Sequence, residues 1–282
     1  MVAGWQQIGY ITSLPGGFYH GSLAVLGLLM GSFLNVVVYR LPLMILHDEQ
    51  YADNFNLSLP ASHCPSCKHP LKSWQNVPVL SWLVLRGRCH YCASAIPKRY
   101  PLTEAGCAIL FLALSFLFTT PQSLLGALIL FWILLALSLI DLATYLLPDR
   151  LTLPLLWAGL LFHSVYGEVT LQDALYGAVA GYLALWFLYW GVKLVSGKAG
   201  MGSGDFKLLA ALGAWVGWQM LPYLCIFAAL AGIIFALIRI NLFKMPEQTP
   251  FGPCLAFAGA LIYISQESNT IWLMLNKIAG IY

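Results

Sequence analysis

Apolar stretches recur along the chain, broken by short polar turns and by one long polar segment, residues 40–102. A membrane-crossing helix needs about 20 predominantly apolar residues, fewer where it is short or packed inside a bundle. On that basis eight stretches are predicted to be helices: His20 to Tyr39, Thr103 to Phe118, Leu124 to Leu147, Leu151 to Val165, Asp173 to Ser196, Asp205 to Trp218, Pro222 to Ile240 and Gly252 to Ser265. The second, fourth, sixth and eighth are short. Residues 268–282 add an apolar run containing Lys277, read as interfacial or as a poor ninth span. Three glycine pairs four residues apart, Gly27 with Gly31, Gly177 with Gly181 and Gly213 with Gly217, have the spacing that lets membrane helices approach closely. They read as packing contacts, not sites.

Composition turns this pattern into a class. Of 282 residues, 60% are hydrophobic and 9% charged, against roughly 25% charged in an average soluble domain. The expected fold class is therefore an all-α integral membrane protein, with about eight transmembrane helices and a small zinc-bound cytoplasmic loop domain. Short cytoplasmic loops retain Lys and Arg. Alternating the eight spans puts thirteen of the fourteen basic residues on one face, leaving only Lys277 opposite. That face is expected to be cytoplasmic, with both termini outside. Residues 1–39 then form the outer N-terminus and first span, 40–102 the cytoplasmic loop domain, 103–265 a seven-helix membrane core and 266–282 an outer C-terminal segment. Met1 to Tyr19 has neither the basic start nor the long apolar run of a cleavable signal peptide, so the first span is expected to be retained. The net charge of +3, spread over loops, argues against a nucleic-acid face.

Two cysteine pairs, Cys64-Pro-Ser-Cys67 and Cys89-His-Tyr-Cys92, lie in the polar segment. A reducing compartment disfavours disulfides, whereas four thiolates at this spacing suit a tetrahedral zinc ion. The 21 residues between the pairs slightly exceed the usual zinc-ribbon range of about 15–20. A loop too small for its own core needs such a staple, and metal binding supplies folding energy. His63, His69 and His90 adjoin the cysteines, but the all-cysteine shell is the preferred reading. Cys107, Cys225 and Cys254 stand singly in apolar helices and read as small hydrophobes.

Ionisable groups inside spanning segments are costly and mark function. Two carboxylates qualify, Asp141 and Asp205. Asp141 lies 17 residues after Leu124, about 26 Å along its helix, near the cytoplasmic boundary. Asp205 opens the sixth helix from that same boundary, after the glycine-dense run Lys198-Ala-Gly-Met-Gly-Ser-Gly-Asp205. Two carboxyls that approach closely share a proton, one acting as base toward water and the other as acid toward a peptide. The glycines would let a substrate backbone come near. Plainer roles compete: helix N-cap for Asp205, ion-pair partner or proton relay for Asp141. Asp149, after Pro148, reads as a cap of the fourth helix.

With these residues in hand, the chain resembles the bacterial prepilin peptidases, the type 4 leader peptidase family of GxGD aspartyl proteases. The resemblance rests on Gly31-Ser-Phe-Leu-Asn-Val-Val-Val-Tyr-Arg-Leu-Pro42, both C-x2-C pairs, Asn76-Val-Pro-Val-Leu-Ser-Trp82 and Arg86-Gly-Arg-Cys89. It continues through Arg99-Tyr-Pro-Leu-Thr-Glu104, Leu147-Pro-Asp-Arg-Leu-Thr-Leu-Pro154, Gly202-Ser-Gly-Asp-Phe-Lys-Leu-Leu209 and Pro250-Phe-Gly-Pro253. It implies eight spans, catalytic aspartates at Asp141 and Asp205, and removal of the basic leader of type IV prepilins or type II secretion pseudopilins after a glycine. It also implies N-methylation of the new terminus with S-adenosylmethionine and an inner-membrane location. No residue is assigned to the methyl donor. Cys254 stands where an apolar residue, often Phe, is expected. Glu104, Asp48, Glu49 and Asp53 are acidic groups available to a basic leader, though solvated loop charge is the preferred reading. Two other classes compete: a proton-coupled transporter, which would show an internal repeat that the sequence lacks, and a non-catalytic scaffold docking through its zinc loop.

Overall fold

The computed structural model describes residues 16–46, 55–118, 120–167, 169–197, 201–243 and 249–267. Asp48, Glu49, Asp53, Lys198, Ala199, Gly200 and the 268–282 segment lie outside these. The described chain is helical, without strands: α1 Gly16–Leu46, α2 Leu80–Val84, α3 Arg99–Leu117, α4 Pro121–Thr144, α5 Asp149–Tyr166, α6 Leu171–Ser196, α7 Ser203–Val216, α8 Leu221–Phe243 and α9 Gly252–Glu267. All eight stretches read from hydropathy fold as helices. Five of them, α1, α3, α4, α6 and α8, are long and apolar enough to cross a membrane, while α9 is a shorter apolar helix. At 14 residues, α7 reaches only about 21 Å, less than the hydrocarbon thickness of about 30 Å.

Contacts divide the chain after Leu124 into two compact units. In the first, α1 packs along α3. A side chain at Gly27 would strike the Ala108 Cα at 2.6 Å, and one at Gly31 the Glu104 Cα at 2.7 Å. The helix α1 runs on past Tyr39 to Leu46, through Pro42. The expected start of the loop at residue 40 is thus too early, because Arg40 does not end the helix. Its buried guanidinium donates to the carbonyls of Asn56 and Pro60 at 2.9 and 2.7 Å, replacing water. A second buried charge, Glu104 of α3, accepts the Val79 N–H at 2.7 Å. These contacts fasten the start and the middle of the polar segment to the α1–α3 pair.

In the second unit α7 is the central element, packed by α5, α6 and α9. Leu208, Leu209, Ala211, Leu212, Ala214 and Trp215 are fully buried. A helix apolar all round belongs inside protein, which is why so short a segment is stable there. The closest approach is between α6 and α7, where a Cβ on Gly177 would overlap the Gly213 carbonyl oxygen and the converse holds for Gly213. Gly181 faces the Leu209 carbonyl in the same way, at 2.7 Å. Gly217 has a further role: its φ of +80 ends α7. Around Trp215 the rings of Phe162 and Tyr263 stack or meet edge-on, and its indole N–H donates to the Leu155 carbonyl at 2.9 Å.

Gly213→Val is expected to separate α6 from α7 and lower stability by at least about 2 kcal/mol. Gly191→Ala, which meets nothing within 4 Å, is expected to leave stability unchanged or raise it by up to about 1 kcal/mol. Thermal unfolding of the purified variants in detergent reads both.

Candidate active site and metal centre

The two acids singled out by the sequence come together in the second unit. Asp141 ends α4, three residues before its last, and is 5% exposed; Asp205 lies in the first turn of α7 and is 8% exposed. They are close enough for direct Coulombic repulsion. Asp141 accepts the Gly252 backbone N–H at 2.9 Å, a buried hydrogen bond across 111 positions of sequence. Gly252 is the first residue of α9, so this N–H is one that the helix itself leaves unpaired.

Leu147 wedges between the three converging segments. A Cβ on Gly204 would meet the Leu147 Cβ at 2.7 Å, and one on Gly252 would meet its Cδ2 at 2.9 Å and the Asp141 Oδ2 at 2.7 Å. Glycine is required at both positions to bring α4, α7 and α9 to one point. The reading that the glycines before Asp205 admit substrate therefore divides. Gly204 is occupied by Leu147, whereas at Gly202 an added Cβ meets only the Asp205 Oδ2, at 3.8 Å.

The capping roles read for Asp205 and Asp149 are corrected by the geometry. Asp205 is not the N-cap of α7: that position is Gly202, and Asp205 is the third helical residue, its own N–H donating to the Gly202 carbonyl at 3.3 Å. Asp149 is not a cap either. Pro148 holds that position, and Asp149 receives the Lys207 ammonium on both carboxylate oxygens at 2.7 Å. That exposed pair joins the starts of α5 and α7. Gly252 is the site residue that sequence reasoning missed. Its only signal was Pro250-Phe-Gly-Pro253, whose prolines mark a helix start without saying what the amide meets.

In the first unit the ligand atoms of Cys64, Cys67, Cys89 and Cys92 all lie within 4.8 Å of one another. Among the described residues no other cluster of this kind occurs, and all seven cysteines are free thiols. The two pairs sit on twin turns. The Cys64 N–H donates to the His69 carbonyl and the Lys68 N–H to the Cys64 carbonyl; the Cys89 N–H donates to the Ser94 carbonyl and the Ala93 N–H to the Cys89 carbonyl. Lys68 and Ala93, each four residues after the leading cysteine, share left-handed φ values of 60 and 57. The residues between the turns fold into the 3-10 turn Ser73–Asn76 and α2, so the long spacing is taken up by structure.

The donor set fits zinc. A tetrahedral four-sulfur shell with bonds of about 2.3 Å has edges of about 3.8 Å, and the Cys64 and Cys92 sulfurs are 3.8 Å apart. The Cys67 amide and Ser94 hydroxyl hold the Cys64 thiol down to about 6. Against the pull of the His69 amide, desolvation and the other thiols push Cys67 up to about 11. Four sulfurs so close ionise together only around a cation. The neighbouring histidines are otherwise engaged: His63 Nδ1 bonds the Ala61 carbonyl at 3.0 Å, and His69 and His90 pack on the rings of Tyr91 and Trp74.

Membrane-length helices and two buried, mutually repelling carboxylates, one near the end of α4 and one in the first turn of α7, are parts that a membrane aspartyl peptidase needs. Comparison with known families shows a peptidase: residues 25–118 match the bacterial peptidase A24 N-terminal domain and residues 128–237 the type IV leader peptidase family. Among individual relatives, the prepilin leader peptidase/N-methyltransferase of Aeromonas salmonicida (strain A449) is 46% identical over 273 residues, covering 91% of this chain and 94% of that protein. Those of Stutzerimonas stutzeri and Pseudomonas aeruginosa are 48% and 47% identical, covering 89% and 93% of this chain and 91% and 96% of their own lengths. The chain belongs to the prepilin leader peptidase/N-methyltransferase family. No solved structure matches it.

Replacing Cys67 and Cys89 together by Ser is expected to cut bound zinc from about one per chain to near zero, read by atomic emission on purified protein. Zinc affinity is expected to fall as pH drops, because each ligand must lose a proton. Above about pH 6, where Cys64 is already ionised, the dependence is expected to ease by one proton, measured by competition with a chelator.

Proposed function

We propose that the chain is a bifunctional enzyme of the bacterial inner membrane that cleaves the leader from type IV prepilins or type II secretion pseudopilins and then N-methylates the new terminus. The observation that carries the peptidase half is the buried Asp141–Asp205 pair, drawn together by α4, α7 and α9 within the segment that matches the type IV leader peptidase family. The relatives' shared name supports the second activity. We read all eight hydropathy stretches as spans, the shorter α5, α7 and α9 being accommodated by packing inside the bundle. The lysine and arginine distribution supports a cytoplasmic zinc loop and active site.

The chemistry follows from two acids sharing one proton. One, ionised, takes a proton from water as the water oxygen bonds to the scissile carbonyl carbon. The other, protonated, gives its proton to the carbonyl oxygen, leaving a neutral gem-diol. The first then passes its proton to the leaving nitrogen as the C–N bond breaks, and the second recovers one from a diol hydroxyl. Both acids end as they began. A prepilin carries a charged leader before an apolar helix, so its scissile bond rests at the membrane boundary, the depth at which the lysine and arginine pattern puts both carboxyls.

Cys64, Cys67, Cys89 and Cys92 would hold zinc as a structural staple for a segment without a core. S-adenosylmethionine would supply the methyl group. An apolar groove of about 400 Å³ lined by Leu156, Trp157, Leu160, Ala178, Val179 and Ala210 does not fit it: no charged side chain there meets its ammonium or carboxylate.

Incubating the purified protein with a prepilin and labelled methyl donor is expected to give both a size shift and label uptake. Asp141→Asn and Asp205→Asn are each expected to slow cleavage by at least about a thousandfold, without altering the unfolding midpoint. Full cleavage by either variant would overturn the peptidase assignment.

A further inference from the structure

The two acids are not held alike. Asp141 receives a directed, buried N–H from Gly252 at 2.9 Å, aimed by the start of α9. Asp205, in the first turn of α7, also has a backbone amide beside it, that of Gly202, but among the described hydrogen bonds none is directed at its carboxyl as the Gly252 N–H is at that of Asp141. A buried carboxylate that accepts an N–H is favoured as the anion, and its close neighbour is then favoured as the acid.

We infer that the Gly252 backbone amide is a positioning group that keeps Asp141 as the ionised, water-activating member of the pair and leaves the shared proton on Asp205. This rests on the aspartyl peptidase reading above. Few other ionisable groups bear on Asp141. Cys254, on α9, is close enough to feel its charge. From α7 comes Asp205 itself, and Lys207 there is spent on Asp149 of α5. On its own helix end, Tyr145 accepts from Arg239 of α8. No cation among these pairs with Asp141, which leaves the Gly252 N–H as its one hydrogen-bond donor among the described contacts. The space there is also committed, because a Cβ at residue 252 would come within 2.7 Å of the accepting oxygen. Glycine is thus required to seat the amide against the carboxylate.

The test is a pH profile of single-turnover leader cleavage by the full-length protein in lipid nanodiscs, with a synthetic prepilin peptide. Cell-free incorporation of glycolic acid at position 252 replaces the N–H by oxygen without adding an atom, so the close approach is kept and only the donor is lost. The amide favours the charged form of the base, so its loss raises the pH at which the base ionises. The acidic limb of the ester variant is expected to lie about one pH unit above that of wild type. Coincident limbs, a fall in rate at every pH with the limb fixed, or a shift toward lower pH would each overturn the inference. Gly252→Ala, whose added Cβ forces the amide away from the carboxylate, is expected to move the limb in the same direction. Asp141→Asn separates this inference from the reading beneath it. An active Asp141→Asn variant removes the peptidase assignment itself, whereas an inactive one with unmoved limbs removes only the role of Gly252.

Discussion

A carboxylate cannot be taken into an apolar bundle unless something in the bundle answers its charge, and the second unit is arranged around that demand for two carboxylates at once. The answer to Asp141 is a backbone amide from the start of α9. Using an amide instead of a lysine leaves the pair without a fixed counter-charge, so a proton can still move between the acids. Delivering that amide requires close backbone approach, which explains glycine at 252 and 204 and the wedging of Leu147 between them. The short α7, buried from Leu208 onward, then serves as a mount: its first turn presents Asp205 and the rest anchors it through Trp215 and the Gly213 contact with α6.

The first unit meets a different demand. Its polar segment has little apolar surface to bury, so its order comes from polar fastening. Twin cysteine turns present four sulfurs at zinc-like separations, and buried Arg40 and Glu104 tie the surrounding chain to α1 and α3 by hydrogen bonds to backbone groups. The separate matches of residues 25–118 and 128–237 to two families follow nearly the same division as the contacts.

Much of this was legible in the residue order, and the limits have identifiable causes. The helices were readable because apolar runs report burial in lipid or protein alike. For the same reason they did not separate a helix such as α7, buried in protein, from one long enough to cross a membrane by itself. Arg40 was read as a boundary because its charge ends the apolar run, yet carbonyl groups some twenty residues on solvate it and α1 continues. Asp149 was read as a cap from its neighbour Pro148, whereas its partner, Lys207, lies 58 residues away. The glycine run before Asp205 was read as a single feature, although Gly204 and Gly202 face different surroundings.

By itself, then, the sequence determined the chemistry available: an apolar helical chain, four cysteines in two close pairs, and two carboxylates where hydropathy makes charge expensive. These are local properties, set by composition and by spacings of a few residues. Only the tertiary structure decided which groups meet. That the Asp141 oxygen finds the amide of Gly252, and that Leu147 fills the space beside Gly204, depends on helix packing across long separations, where no local pattern records the partner.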